Sequence, residues 1–474
     1  MAEQHFDVAV IGSGPGGYIA ALKAAQIGAR VAVVEKAHLG GTCLNNGCIP
    51  SKALLATSEL LHAIGRAGDM GVAVAGGVSF DWTKVQKRKD KIIAMLRSGI
   101  KGLFAARNVT VLGGLARCDG PGKFQLSVDG GPGKRFTADK AILATGSAPS
   151  RIPGWPDDPQ FIGTSDEALH WKELPGRLLI VGGGVIGCEF ACMMQPLGVE
   201  VTVVEMLPGL LPEMDAELGE ALDKIFEKRG IRCFTGVKVD DLAVAGKGIE
   251  ARLSNGKTVE ADKVLVATGR RPVTDDIGLD TVGLATDHGF LQVNDKMETT
   301  LRGYYCVGDA NGRCLLAHAA SAQGIVAVEN ALGHDRTLQA PVPSAVYTFP
   351  EIAAVGLTQR QASEQGLPTA IGMFPLTHLG KAMAVNHTEG FVKVIRHRET
   401  DLVLGVHMMG HNVTEVIAAA GAVLGQKVTT GDVVEMIFAH PTISEAIKES
   451  AEDALGMALH LPPRKVLKVV ADRQ

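Results

Sequence analysis

Two stretches of this chain repeat one pattern, and the repetition restricts the folds open to it more than any other feature. The first runs from an apolar segment, residues 6–11, through Gly12-Ser-Gly14-Pro-Gly-Gly17 and a helical stretch to about Gly28, then into a second apolar run at 31–34 that ends at Glu35. The second runs from residues 178–181 through Gly182-Gly-Gly184-Val-Ile-Gly187 and a helical stretch to Gly198, then into 199–204 ending at Glu205. The carboxylate follows the first glycine by the same interval in both. Each copy closes with an apolar run ending in Ala-Thr-Gly, at 141–146 (with Thr145 and Gly146) and at 264–269 (with Gly269). Strand, glycine turn, helix and strand make a βαβ unit, so the chain is predicted to hold two dinucleotide-binding domains of the doubly wound α/β kind.

The glycines have a chemical reason. They let the backbone approach a pyrophosphate, whose charge then sits at a helix N-terminus where free N–H groups and the dipole favour it. Glu35 and Glu205 are placed to accept a ribose 2′-hydroxyl. At the second site residues 206–212 contain no Arg or Lys to neutralise a 2′-phosphate, which predicts NAD over NADP.

At 474 residues the chain exceeds one ordinary core, and the usual domain size of roughly 150 residues suggests about three. A hydrophobic fraction of 46% with 21% charged residues describes an ordinary globular protein. The net charge of −4, with acidic and basic residues interspersed, argues against nucleic acid as a partner. No run approaches the ~20 apolar residues of a membrane helix, and the N-terminus lacks a basic n-region and reads as a strand. A cytoplasmic location is expected; a mature organellar matrix protein has the same features.

Between Glu35 and the first Ala-Thr-Gly lies an insertion with two notable parts. One is an expected helical hairpin at 81–108, rich in Lys and Arg. The other is Gly40-Gly-Thr-Cys43-Leu-Asn-Asn-Gly-Cys48-Ile-Pro-Ser-Lys52. Eight cysteines are too few for a disulfide scaffold in a chain this long, so a close pair points to redox or metal chemistry. On a regular helix Cα atoms five residues apart lie about 8–9 Å from each other, beyond the ~7 Å reach of a disulfide. A bridge therefore needs a distorted turn, which Gly47 can supply, with Cys43 before the helix and Cys48 in its first turn, where the dipole lowers a thiol pKa. Zinc is the rival reading, but no second pair or nearby His completes a ligand set, and no metal is expected.

The last third resumes at 301–309, passes the proline-rich Ala340-Pro-Val-Pro343 and enters a final α+β region, with strand-like runs at 390–395 and 402–409 and helix-like runs at 413–424 and 443–455. Here lies His440-Pro-Thr442-Ile-Ser-Glu445. Thr442 and Glu445 fit a helix capping box. A His beside a carboxylate is equally what thiol activation requires, since its ordinary pKa suits taking and returning a thiol proton near neutrality. The remaining cysteines (118, 188, 192, 233, 306 and 314) lack motifs and are expected in the core. His378, His387, His407 and His411 show no metal spacing and are expected to be surface or satisfied polar groups.

The whole chain resembles the pyridine nucleotide-disulfide oxidoreductases, and its cysteine motif is specific to them. The resemblance implies two Rossmann-like domains, for FAD and NAD, and a C-terminal α+β dimerisation domain. Residues 1–149 and 275–343 would form the FAD-binding part, 150–274 the NAD-binding domain and 344–474 the interface of a homodimer. It implies that Cys43 is the interchange thiol and Cys48 the thiol at the flavin, that Lys52 sits near the flavin and pairs with Glu189, and that His440, held by Glu445 and followed by a cis proline, acts across the dimer interface. Asp309 in Gly308-Asp309 would bind the ribityl chain. Leu315-Leu316-Ala317-His318 matches a second flavin motif except at its first position, where the family has Met, and Ala116 stands where a glycine near the adenine is common.

The implied activity is oxidation of dihydrolipoamide to lipoamide through a Cys43–Cys48 disulfide and FAD, with NAD reduced to NADH. The implied working substrates are lipoyl domains of 2-oxoacid dehydrogenase complexes or a glycine cleavage system. Glutathione-type reductases favour NADPH, which Glu205 opposes. Mercuric and larger thioredoxin reductases carry a further C-terminal cysteine pair, and here no cysteine follows Cys314. Soluble transhydrogenases lack the active disulfide. From another class, a non-catalytic FAD-binding subunit of a multienzyme complex would retain the nucleotide motifs but need neither the cysteines nor the histidine.

Overall fold

The computed structural model describes residues 4–128, 131, 133–156, 158–246 and 248–462; the end of the expected interface region, 463–474, lies outside the described residues. The first repeat forms strand Gln4–Ile11, helix Pro15–Ile27 and strand Val31–Glu35. These join a seven-stranded sheet in the order Thr110–Gly113, Val31–Glu35, Gln4–Ile11, Arg135–Leu143, Lys123–Ser127, Leu115–Cys118, with Tyr304–Cys306 also paired to Arg135–Leu143. The pairs Val8–Val31 and Val8–Lys140 set the parallel register around the central strand. Such strands are covered on both faces, which is why 6–11 and 31–34 read as near-continuous apolar runs.

The second repeat gives strand Arg177–Val181, helix Val185–Met194 and strand Glu200–Glu205, within an all-parallel sheet ordered Arg232–Thr235, Glu200–Glu205, Arg177–Val181, Lys263–Val266, Ile162–Thr164. A two-stranded ribbon, Ser147–Pro149 with Arg270–Pro272, joins the two units where each Ala-Thr-Gly ends. The last region is a five-stranded antiparallel sheet with helices Val413–Gly425 and Glu445–Ala454 packed on it. The expected α/β class, with two Rossmann-like units and a C-terminal α+β region, is the one observed. Among the described residues no helix is long and apolar enough to cross a membrane.

One expectation is corrected. Residues 81–108 form a single 25-residue helix, Trp82–Ala106, rather than a hairpin. No proline interrupts it, and Asp81 caps it by accepting from the Lys84 backbone N–H. Cβ atoms at Gly99 and Gly102 would meet nothing within 4 Å, so these glycines mark neither a turn nor a close approach. The hairpin partner is instead the helix Cys48–Gly65, against which it packs.

Candidate active site

The two glycine turns are near copies in space. Gly12 and Gly182 have φ of +101° and +112°, and a Cβ on either would lie 2.3 Å from a carbonyl oxygen, that of Ala144 or Ala267 in the closing strand. Gly17 and Gly187 sit where a Cβ would meet the carbonyl of Gly12 or Gly182 at 2.0 and 1.9 Å, so helix and strand touch through glycine alone. The helices that follow start at Gly14 and Gly184 with no side chain capping them, and a Cβ at Gly184 would enter open space.

The terminal carboxylates organise these turns. Glu35 accepts from the Ser13 N–H at 3.0 Å and its hydroxyl at 2.6 Å, and Glu205 accepts from the Gly183 N–H at 2.6 Å. Their other oxygens accept from Ala37 and Leu207, so both fix the turn against the strand end. Thr145 Oγ1 is buried and has no partner among the described residues. Bare helix starts, glycine cradles and this unpaired hydroxyl fit two dinucleotides, the first beside the cysteine motif. Gly40 docks that motif directly on the first turn, its N–H donating to the Ser13 carbonyl at 3.1 Å.

Around the first turn, Asp309 accepts from the Ser147 hydroxyl at 2.5 Å, and Arg270 donates to Ser147 at 2.7 Å. Gly146 and Gly269 both carry positive φ at the ends of their strands. Leu315 and Leu316 precede the helix Ala317–Ala331, which starts with no side-chain cap, and His318 bonds the Pro343 carbonyl at 2.7 Å. Ala116 lies on Leu115–Cys118 with its side chain in the core, so only its backbone can face a ligand.

As expected, Cys43 lies ahead of the helix that Cys48 opens, with Gly47 breaking the chain between them; unexpectedly, Cys43 sits in a short helix of its own, Gly41–Asn46. A side chain at Gly47 would crowd Thr42 and Cys43, at 3.1 and 3.2 Å, so glycine eases the fold over from one helix to the other. Both thiols are free. The influence of Cys48, then burial, pushes the Cys43 thiol far above its usual range. The influence of Cys43 pulls Cys48 down to about 7, against burial and with help from the Lys52 ammonium. Lys52 itself meets both Glu189 oxygens, at 2.9 and 2.8 Å, and Glu189 also accepts from the Tyr347 N–H at 3.0 Å.

The histidine motif resolves both of its readings into one carboxylate. Glu445 Oε1 bonds His440 Nδ1 at 2.8 Å, while Oε2 accepts from the Thr442 N–H at 2.8 Å. The capping box is only half present: the helix starts at Glu445, and the Thr442 hydroxyl turns back to the Ala439 carbonyl. The His440–Pro441 bond is cis. His440 is exposed, with its neighbour Ile437 99% exposed, and among the described residues it bonds Glu445 and neither cysteine.

Some expectations need correction. Cys233 and Cys314 are only partly buried, unlike the other four unassigned cysteines. His407 is buried, with Nε2 on the Leu357 carbonyl and Nδ1 without a partner among the described residues, so it is neither a surface nor, among them, a fully satisfied group. Sequence reasoning also missed Ser13, Ser147, Arg270 and Asn46, whose contacts come from distant segments and leave no local motif.

The profile of the family described as pyridine nucleotide-disulphide oxidoreductase matches residues 6–324, and that of its dimerisation domain matches 342–451. The chain is 41% identical to the dihydrolipoyl dehydrogenase of Bacillus subtilis (strain 168), over 96% of this chain and 99% of that protein. It is 42% identical to the dihydrolipoyl dehydrogenase of Chlorobaculum tepidum, over 95% and 97%. Among solved structures, LpdA from Mycobacterium tuberculosis superposes with a TM-score of 0.87 at 28% identity, covering 95% of this chain and 99% of that one. The HOCl-induced flavoprotein disulfide reductase RclA from Escherichia coli, solved as a Cu(II) complex, gives 0.85 at 26%, covering 95% and 99%.

Proposed function

Since the chain belongs to the pyridine nucleotide-disulphide oxidoreductase family, we propose that it is a dihydrolipoyl dehydrogenase, oxidising dihydrolipoamide to lipoamide and reducing NAD to NADH. The observation that carries this reading is the Cys43–Cys48 pair, one thiol held protonated and the other close to ionisation at neutrality, beside the Lys52–Glu189 ion pair. FAD on the first glycine turn supplies the two-electron transfer between dithiol and nicotinamide. We assign residues 1–149 and 275–343 to FAD binding, 150–274 to NAD binding and 344–474 to the interface of a homodimer.

In the oxidised enzyme Cys43 and Cys48 form a disulfide. His440, supplied by the partner subunit, takes a proton from one substrate thiol at Nε2, while Glu445 holds Nδ1 and so the ring's orientation. The substrate thiolate attacks Cys43 Sγ, the Cys43–Cys48 bond breaks and Cys48 leaves as thiolate. The second substrate thiol attacks the substrate sulfur bound to Cys43, closing the lipoyl disulfide. Cys43 leaves and takes the proton His440 held, and His440 in turn takes the proton of the second substrate thiol. The product state has Cys43 donating to a Cys48 thiolate, in keeping with a Cys43 thiol pushed up and a Cys48 thiol pulled down. Glu205 accepts the 2′-hydroxyl of NAD and Glu35 that of the FAD adenosine. Lipoyl domains of 2-oxoacid dehydrogenase complexes or a glycine cleavage system are the proposed partners.

Anaerobic titration with dihydrolipoamide, followed by NAD, tests the relay. Long-wavelength absorbance appearing at two electrons per subunit and discharged by NAD with formation of NADH is expected. A spectrum unmoved by dihydrolipoamide but changed by NADH rejects the substrate assignment. Replacing His440→Gln is expected to lower lipoamide turnover by about 10²–10⁴-fold with FAD retained; near-normal turnover rejects it as the base.

A further inference from the structure

Asn46 is the last residue of the Cys43 helix, joined to Cys48 only through Gly47, and its side chain is gripped from outside the cysteine motif. His170 Nε2 meets Asn46 Oδ1 at 3.2 Å, and His170 Nδ1 meets Lys89 Nζ at 3.1 Å. Lys89 is fully buried in the Trp82–Ala106 helix and also reaches Gln86 Oε1 at 2.6 Å, the Leu169 carbonyl at 2.9 Å and Asp90 at 3.2 Å.

The direction of this chain follows from donor chemistry. An ammonium only donates, so His170 Nδ1 accepts, the ring proton sits on Nε2, and Nε2 donates to Asn46. Asp166 lies beside this contact, its carboxyl pKa raised chiefly by burial. Burial and the nearby Lys89 charge lower the His170 pKa, consistent with the neutral ring this arrangement requires. His170 and Asp166 both follow strand Ile162–Thr164 of the second sheet, so the second nucleotide unit holds the redox helix of the first.

Packing alone does not hold this end. A cavity of about 420 Å³, lined by His38, Asn45, Asn46, Asp90, Arg97 and His170 among others, lies beside it and leaves room for the helix end to shift. Arg97 braces the adjacent Asn45, at 3.2 and 2.6 Å, but Asn45 points back to the Leu39 and Gly41 carbonyls. Asn46 is the residue next to the Gly47 break, and its placement sets that of Cys43 relative to Cys48.

We propose that His170 is a positioning residue for the cysteine pair: by holding Asn46 from the second nucleotide unit, it sets the Cys43–Cys48 geometry on which thiol–disulfide exchange depends. The inference rests on the reading of that pair as the redox centre. A displacement of the order of 1 Å at a reacting group costs up to about 10²-fold in rate, so loss of this contact is expected to be measurable.

The test compares wild-type holoenzyme with His170→Ala, His170→Gln, Asn46→Ala and the His170→Ala/Asn46→Ala double variant. Three quantities are read: the anaerobic rate of reduction by dihydrolipoamide, the NADH–ferricyanide rate, which does not use the cysteines, and the pH profile of iodoacetamide alkylation of Cys43 and Cys48 in the reduced protein. His170→Ala is expected to slow reduction by about tenfold or more and displace the alkylation profile, with FAD content and the ferricyanide rate unchanged. His170→Gln, which places an N–H near the position of Nε2, is expected to recover most of the rate. Asn46→Ala should reproduce His170→Ala, and the double variant should add nothing further, as for two members of one contact. Wild-type behaviour of His170→Ala, additive effects in the double variant, or losses that include FAD and are not rescued by Gln overturn the proposal. Wild-type enzyme inert to dihydrolipoamide instead overturns the substrate assignment, and the alkylation profiles then still decide the role of His170.

Discussion

Lys52 and Glu189 lie on helices of different nucleotide units, and their side chains meet at 2.8 Å, with the Lys52 ammonium 4.4 Å from the centre of the Tyr347 ring. The pair acts on Cys48 with opposite signs: Lys52 lowers its thiol pKa and Glu189 raises it, around a value of about 7 set first by the influence of Cys43. Lys52→Met is expected to move the alkylation midpoint of Cys48 to higher pH, and Glu189→Gln to lower pH. Shifts of the same sign in both variants contradict this account.

Glu205 organises the second glycine turn, and in the proposed NAD site it also opposes a 2′-phosphate. Glu205→Ser is expected to raise the NADP-to-NAD ratio of kcat/KM by roughly tenfold or more, because juxtaposed like charges cost several kcal/mol. Its thermal midpoint should also fall, as the Gly183 and Leu207 N–H groups lose their acceptor. Steady-state kinetics with both nucleotides and a melting curve measure the two effects, and an unchanged ratio rules out the specificity role.

Lys393, buried in the C-terminal sheet, is bound by Asp215 at 2.7 Å, by Glu217 and by Gln359 at 2.9 Å. Burial pushes the Asp215 carboxyl up, but the neighbouring Glu217 and the bonds donated by the Gln359 N–H and the Lys393 ammonium hold it well below the usual carboxylate range. Lys393→Met leaves that carboxylate buried without its cation, and a loss of about 3–5 kcal/mol in unfolding free energy is expected. Urea titration measures it. A loss under about 1 kcal/mol shows that the cluster relaxes around the change.

His62 stacks on Phe349 with ring centres 6.0 Å apart. Burial, then Arg229 and Arg66, lower its pKa from 6.5 to about 4. The native state therefore binds the proton less readily than the unfolded chain, so this contribution is complete above pH 6.5 and is lost as pH falls toward 4. His62→Phe should flatten the acid limb of the stability profile over that window. Thermal midpoints at a series of pH values test it, and equal slopes refute it.

The parts of this molecule that a sequence reading captures are those fixed by local chemistry. Gly12 and Gly182 announce themselves because a turn that presses on a carbonyl needs glycine, and Glu35 and Glu205 because a strand of fixed length carries them to the turn. The Gly47 break was legible from the reach of a disulfide, but not the short Gly41–Asn46 helix before it, since six residues carry too little periodicity. The 81–108 segment reads as a hairpin because its partner helix, Cys48–Gly65, precedes it in the chain and the residues themselves do not show that pairing. Asn46, Ser147 and Lys393 were silent, as their partners are 124, 162 and 178 residues away.

His440 bonds Glu445 and, in its own chain, neither cysteine. In the proposed arrangement, with the base on one subunit and the thiols on the other, damage to each can be complemented genetically. A chain lacking His440 and a chain lacking Cys43 are each inert as homodimers, yet a mixed pair assembles one intact centre from the undamaged halves. Co-expression of the two defective alleles should therefore restore turnover that neither supports alone.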